Sequence, residues 1–400
     1  RERILEANRE DKRVAEEEVK RGTLSLALWK RLDLEGAKFD ALLAGIDDVR
    51  RLDDPVGKVT LARRLDEGLD LYRVTCPLGV IGVIFEARPD AAVQISVLGL
   101  KSSNAVILKG GSEASRTNRA LVECMRSALA DDSVVPVDTI QLLTTRAEVA
   151  DLLQQDRFVD LVIPRGSNEL VRSIQASTRI PVLGHADGIC SVYLDRAADP
   201  DRAVAITLDA KTQYPAVCNA AETLLIHSDL LGSVWPRVAE ALSSAGVEIR
   251  ADERARKAFS AAKLASSEDF DTEFLDLTIA VKTVDSLDEA IDHINEHGSH
   301  HTDAIVTEDR AAAERFLARV DSAGVYHNAS TRFADGFRYG FGAEVGVSSN
   351  KTHARGPVGL DGLVIYKYRL YGSGQGVANY GPGKRPYLHA PLAPELPPRP

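Results

Sequence analysis

Between Leu78 and Ser177, short apolar runs alternate with helical stretches, and this rhythm restricts the chain to parallel α/β architectures. The runs are Leu78–Phe85, Ala105–Leu108, Thr139–Leu143 and Val159–Ile163. Helices are predicted near Asp90–Leu100, Ala114–Leu129, Arg146–Leu153 and Asn168–Ser177. Strands separated by a helix return in the same direction, so βαβ units with helices on both faces follow. The rhythm resumes with strands at Thr223–Ile226, Ile279–Val284, Ala304–Val306 and Gly324–His327. Helices at Trp235–Ser243, Leu287–Ile294 and Ala311–Val320 separate them and complete a second α/β layer.

The flanks read differently. Residues 1–21 are dense in Glu, Arg and Lys, and Leu42, Leu43, Ile46 and Val49 recur at helical spacing, so the opening is a solvated helical layer. An alternating stretch around Gly68, up to Cys76, predicts a hairpin arm of the kind used for assembly. From Gly372 to Pro400 no periodic face appears, and an irregular tail is expected.

Composition removes several functions. A formal charge of −10 leaves no basic surface for nucleic acid, so an anionic ligand needs a local pocket. No apolar run is long enough for a membrane span. Four cysteines, Cys76, Cys124, Cys190 and Cys218, lie far apart without a Cys-x-x-Cys pair, which is neither a disulfide framework nor a zinc pattern. A reducing, cytoplasmic setting is expected. Cys76, at the start of a strand, Cys124 and Cys190 read as inert or core residues. The cluster His293, His297, His300 and His301 sits at a helix end, where imidazoles meet the helix dipole, and no metal is assigned to it.

Cys218 is different, because Gln213-Tyr-Pro-Ala-Val-Cys218-Asn219 is a loop-like window with turn formers. Taken alone it is a small buried hydrophobe or a nucleophile. In the first half, two strand ends suit anions. Lys109-Gly110-Gly111-Ser112 ends a strand before a helix, and Arg165-Gly166-Ser167 opens another, where free N–H groups and the helix dipole favour negative charge. Each is also an ordinary βα turn.

An ordered set of segments resembles the aldehyde dehydrogenase superfamily and, within it, the γ-glutamyl phosphate reductases, including the reductase half of pyrroline-5-carboxylate synthase. These segments are residues 77–90, the Leu108–Ala114 segment, the Cys218 window, Glu273-Phe-Leu-Asp276, 301–309, 327–337 and 339–346. The resemblance implies an aldehyde dehydrogenase-like α/β fold with two parallel-sheet domains and a small oligomerisation arm. Its Rossmann-like NADP-binding domain would span 1–57 and 77–188, its catalytic domain 189–360, its arm 58–76 and 361–380, and 381–400 would be the irregular tail. It further implies NADPH-dependent reduction of L-glutamyl 5-phosphate to the 5-semialdehyde through a cysteine thioester, in proline biosynthesis. A homo-oligomer, dimer or tetramer, is implied, and a glutamate 5-kinase partner or fused domain is left open.

Residue roles follow from the same resemblance. Cys218 is the nucleophile, and Asn219 is a candidate second oxyanion donor. Lys109, Gly110 and Ser112 would meet the adenosine ribose, Gly166 and Ser167 the pyrophosphate, and Glu273 the nicotinamide ribose. NAD-using relatives carry a glutamate where Ser112 stands, so a 2′-phosphate meets less repulsion here. Ser330 and Arg332 are candidates for the substrate's amino-acid end. Arg88 and Glu86 would bind acyl phosphate or pair with each other. The hydrolytic glutamate of oxidising relatives is replaced by Val182, which counts against the alternative of an aldehyde-oxidising or acylating enzyme. An intact Cys218 counts against a non-catalytic nucleotide-binding scaffold.

Overall fold

A computed structural model describes residues 1–131, 134–185 and 187–397. Three helices, Glu2–Lys20, Leu26–Arg31 and Ala37–Arg51, form the opening layer. The first sheet is parallel, in the order Ile140–Leu142, Ala105–Lys109, Val80–Phe85, Leu161–Arg165. Its central strand is nearly all buried, because helices cover both faces and no position can face water. Asn104 secures the turn into one strand by accepting the Gly79 N–H at 2.8 Å and donating to Leu363 O at 2.8 Å.

The second sheet has seven parallel strands, ordered Lys263–Leu264, Glu248–Ala251, Thr278–Val284, Ala221–His227, Cys190–Leu194, Thr302–Val306, Gly324–His327. Every residue of Ala221–His227 is buried. Helix Pro200–Thr212 returns the chain to the start of that strand. Its first turn is set by Pro200 and by Asp199, whose carboxylate accepts the N–H groups of Asp201 and Arg202. The core beneath includes Trp235, Leu242 and Val281, each fully buried branched side chain worth about 1.5–3 kcal/mol of transfer free energy. The expected fold class is found, with the strand Cys190–Leu194 and the charged strand Glu248–Ala251 added to those legible in the sequence.

The third sheet is antiparallel, in the order Val364–Tyr371, Leu69–Pro77, Val59–Asp66, Ala390–Pro391. Gly68 makes the hairpin turn at φ +68°. The segment 381–397 is largely irregular, apart from Ala390 and Pro391, which pair with Arg64 and Arg63; an open sheet edge offers backbone groups to any nearby chain. Residues 398–400 lie outside the described ones. Two expectations are corrected here. Cys76 falls near the end of a strand, opposite Ile365, rather than at its start. Cys124 is exposed, because Ile4 of the first helix covers Ala120 and Leu121 but the cysteine lies a turn further on. No helix among the described residues is long and apolar enough to cross a membrane.

Candidate active site

Parallel strands put all their carboxyl ends on one rim, and in the first sheet that rim carries charge. Lys109 is level with Ile84, and Arg165 is level with Phe85, so the two cations flank the central strand. Lys109 Nζ donates to Gly110 O at 2.5 Å. Gly110 has to be glycine, since a Cβ there would collide with Asn118 and stand 3.0 Å from the Phe85 ring. Arg165 is nearly enclosed and faces Glu344, with 3.7 Å between Nη2 and Oε1. Burial weakens the charge of both, pushing the guanidinium pKa down and the carboxyl up, and each partner's charge opposes that shift. Arg88, which starts helix Pro89–Lys101, lies within electrostatic reach of this pair.

Cys218 sits at the amino end of strand Ala221–His227, in the turn that follows helix Pro200–Thr212, and is half-buried. Its carbonyl accepts the Cys190 thiol at 3.2 Å. Its own N–H has no hydrogen-bond partner among the described residues. Gly188 passes so close that a Cβ would overlap the Cα and carbonyl oxygen of Cys218. Two guanidinium groups, Arg165 and Arg332, lie in electrostatic reach of the sulfur. Arg332 is buried, and its Nε donates to Gln213 Oε1 at 2.9 Å, in the segment that leads to Cys218.

Two histidines complete the surroundings. His185 and His301 stand edge to face, with ring centroids 4.9 Å apart, and one donor atom of each lies within 4.8 Å of the other and of Cys218. Burial is the main influence on His185 and pushes its pKa down, which favours a neutral imidazole.

The comparisons with known proteins match this architecture. Residues 49–271 match the aldehyde dehydrogenase family. A γ-glutamyl phosphate reductase of Synechococcus sp. (strain JA-3-3Ab) is 56% identical over 97% of this chain and 86% of its own length. The chain belongs to the γ-glutamyl phosphate reductase branch of the aldehyde dehydrogenase family. A probable γ-glutamyl phosphate reductase of Schizosaccharomyces pombe is 52% identical over 97% of this chain and 88% of its own. The crystal structure of γ-glutamyl phosphate reductase from Thermotoga maritima superposes with a TM-score of 0.89 at 40% identity, covering 93% of this chain and 89% of that one.

Among the residues this reductase-family chain was expected to use, Cys218, Asn219, Ser330 and Arg332 come together around one turn. Thr331 donates its hydroxyl to Asn219 O at 2.7 Å, and Ser330 Oγ accepts the Arg332 N–H at 3.3 Å. Asn219 Nδ2 donates one of its two N–H groups to Ala334 O at 2.8 Å, which ties the turn to the 330–334 loop. Glu273 reaches the first sheet's side by accepting Asn168 Nδ2 at 2.9 Å.

At Gly166 and Ser167 the Ser167 N–H donates to Glu86 Oε2 at 2.9 Å. Glu86 is thereby engaged with the helix, not with Arg88. Ser112 is exposed, and the adjacent Glu113 turns away to accept the Ala87 N–H at 2.6 Å. Reading the sequence missed His185, His301, Gly188 and Arg165 as neighbours of Cys218. Only Arg165 carried a signal, as a cation at a strand end. The histidine cluster separates: His297 Nδ1 pairs with Asp271 at 2.8 Å, His300 Nδ1 with Asp321 O at 2.8 Å, and only His301 faces the cysteine.

Proposed function

We propose that this chain reduces γ-glutamyl phosphate to glutamate-5-semialdehyde and phosphate, a step of proline biosynthesis, using NADPH and a thioester on Cys218. The observation that carries this reading is a half-buried thiol at a strand's amino end with two arginines in electrostatic reach. The sulfur's lone pair attacks the acyl carbon, a C–S bond forms, and the C–O bond to phosphate breaks with its electrons leaving on phosphate. Arg165 attracts the dianionic group and stabilises its departure. The free N–H of Cys218 meets the oxyanion that develops on the acyl carbon. When the aldehyde leaves, the C–S electron pair returns to sulfur.

The residues fit a reduced phosphorylated dinucleotide in part. Lys109 and the exposed Ser112, with Glu113 drawn to Ala87, suit a 2′-phosphate. Glu273 is placed to hold the nicotinamide ribose, and the bound nicotinamide supplies hydride. Gly166 and Ser167 are assigned to the pyrophosphate, which would take the Ser167 N–H from Glu86. Ser330 and Arg332 are assigned to the glutamyl α-carboxylate, and Arg88 to the acyl phosphate. Val182 is apolar and packs against the first sheet, so it cannot activate water to divert the thioester. The arm, with Tyr366, Tyr368 and Leu370 exposed on its edge strand, is the surface we assign to self-association.

The test follows NADP⁺ reduction with glutamate-5-semialdehyde, with and without inorganic phosphate. Turnover that requires phosphate and disappears in Cys218→Ala supports the reading. Phosphate-independent turnover points to aldehyde oxidation, and unchanged turnover in Cys218→Ala removes the thioester.

A further inference from the structure

We propose that Cys218, His185 and His301 form a binding site for one soft divalent transition-metal ion, with Zn²⁺ as its probe, and that filling it silences the enzyme. The three side chains are far apart in sequence. Strands Ala221–His227, Cys190–Leu194 and Thr302–Val306 are neighbours in one parallel sheet, so the residues preceding each converge at a common end. One donor atom from each residue lies within 4.8 Å of the other two, and no other group of three such ligands converges among the described residues.

The donor set is one sulfur and two imidazole nitrogens, which suits zinc and its neighbours and not magnesium or calcium. Tetrahedral coordination at ordinary Zn–S and Zn–N lengths places donors about 3.3–3.6 Å apart. The longest separation present has to close by about 1 Å, a movement a turn residue such as Cys218 can supply. Two further observations point to a ligand. His301 is fully buried, its Nδ1 meets Thr302 Oγ1 at 2.9 Å, and its Nε2 has no partner. His185 Nδ1 is likewise buried and unpartnered. An unsatisfied buried polar atom costs about 1–3 kcal/mol, so both rings are short of a partner. The Thr302 hydroxyl on the far side of His301 orients that ring as outer partners of metal-bound imidazoles do. Glu273, within electrostatic reach of His185, offsets the nearby arginines. The fourth position stays open to water.

Silencing rests on the proposed role of Cys218 as nucleophile. Binding replaces the thiol proton, which passes to solvent, and commits the sulfur lone pair to the metal, so no C–S bond can form.

Co²⁺ titration of the whole chain, followed by thiolate-to-metal absorbance, tests binding directly, with Zn²⁺ as competitor. We expect a single equivalent bound, protection of Cys218 from iodoacetamide, and loss of turnover that a chelator reverses. His185→Asn and His301→Asn should each weaken binding beyond the about 10–100-fold loss seen when an outer partner is removed, and Cys218→Ser should abolish the absorbance. Absence of the band and of protection in the unmodified protein overturns the proposal whether or not the variants fold. Undiminished binding in both folded histidine variants also overturns it. If the metal binds but Cys218→Ala still turns over, the site stands and the catalytic reading falls.

Discussion

Lys211 Nζ stands 2.5 Å from Glu222 Oε2 with both side chains completely buried, between the helix that leads to Cys218 and the strand that follows it. Burial is the largest influence on each, raising Glu222 to about 7 and lowering Lys211, and their contact opposes both shifts. Glu222 also accepts the Leu275 N–H at 3.3 Å, which holds the segment carrying Glu273. Glu222→Ala should therefore destabilise the protein by about 3–5 kcal/mol by stranding a buried ammonium. The double variant Lys211→Met/Glu222→Leu should recover most of that loss in urea denaturation while turnover stays low. Equal stability of the single and double variants would show that the pair is not coupled.

Gly188 tests how tightly the turn carrying Cys218 is enclosed. Gly188→Ala puts a methyl group into the backbone of Cys218, and overpacking of this kind costs about 1–3 kcal/mol. Turnover should fall sharply while NADPH binding, followed by nicotinamide fluorescence, is retained. Normal turnover with a normal melting temperature would mean the segment is free to move aside.

Cofactor preference should respond to one residue. Ser112→Glu places a carboxylate on the rim beside Lys109, and repulsion of a 2′-phosphate should raise the KM for NADPH well above any change for NADH. Parallel changes for both cofactors would detach Ser112 from the choice between them.

His293 sets a pH dependence away from the active site. It is buried between Phe270 and His297, with ring centroids at 5.4 and 4.3 Å, and burial pushes its pKa down to about 3. A depressed histidine pKa means the unfolded chain binds the extra proton first, so stability is full above pH 6.5 and declines as pH falls from 6.5 toward 3. His293→Leu should flatten that part of the urea-stability profile. An unchanged slope would assign the acid loss to other groups.

Much of the fold was legible because strands and helices announce themselves by local periodicity. The run Val80–Phe85 and the helix Pro89–Lys101 lie within a residue or two of where apolar spacing placed them. Glu248–Ala251 was not legible, since alternate charged residues hide a four-residue strand that only its neighbours bury. In the site, a cysteine between turn formers drew attention to Cys218, whereas the contact between Glu86 and the Ser167 N–H, 81 residues apart, was not legible.

By itself, the sequence determined the parallel α/β rhythm and the strand end with Lys109, since each depends on residues adjacent in the chain. Tertiary structure alone decided that Gly188 must lack a side chain, that Asn219 would anchor a loop, and that His185 and His301 would meet one sulfur. Those outcomes depend on which strand amino ends lie side by side in a sheet, and strand order is set by long-range packing that no local window of residues encodes.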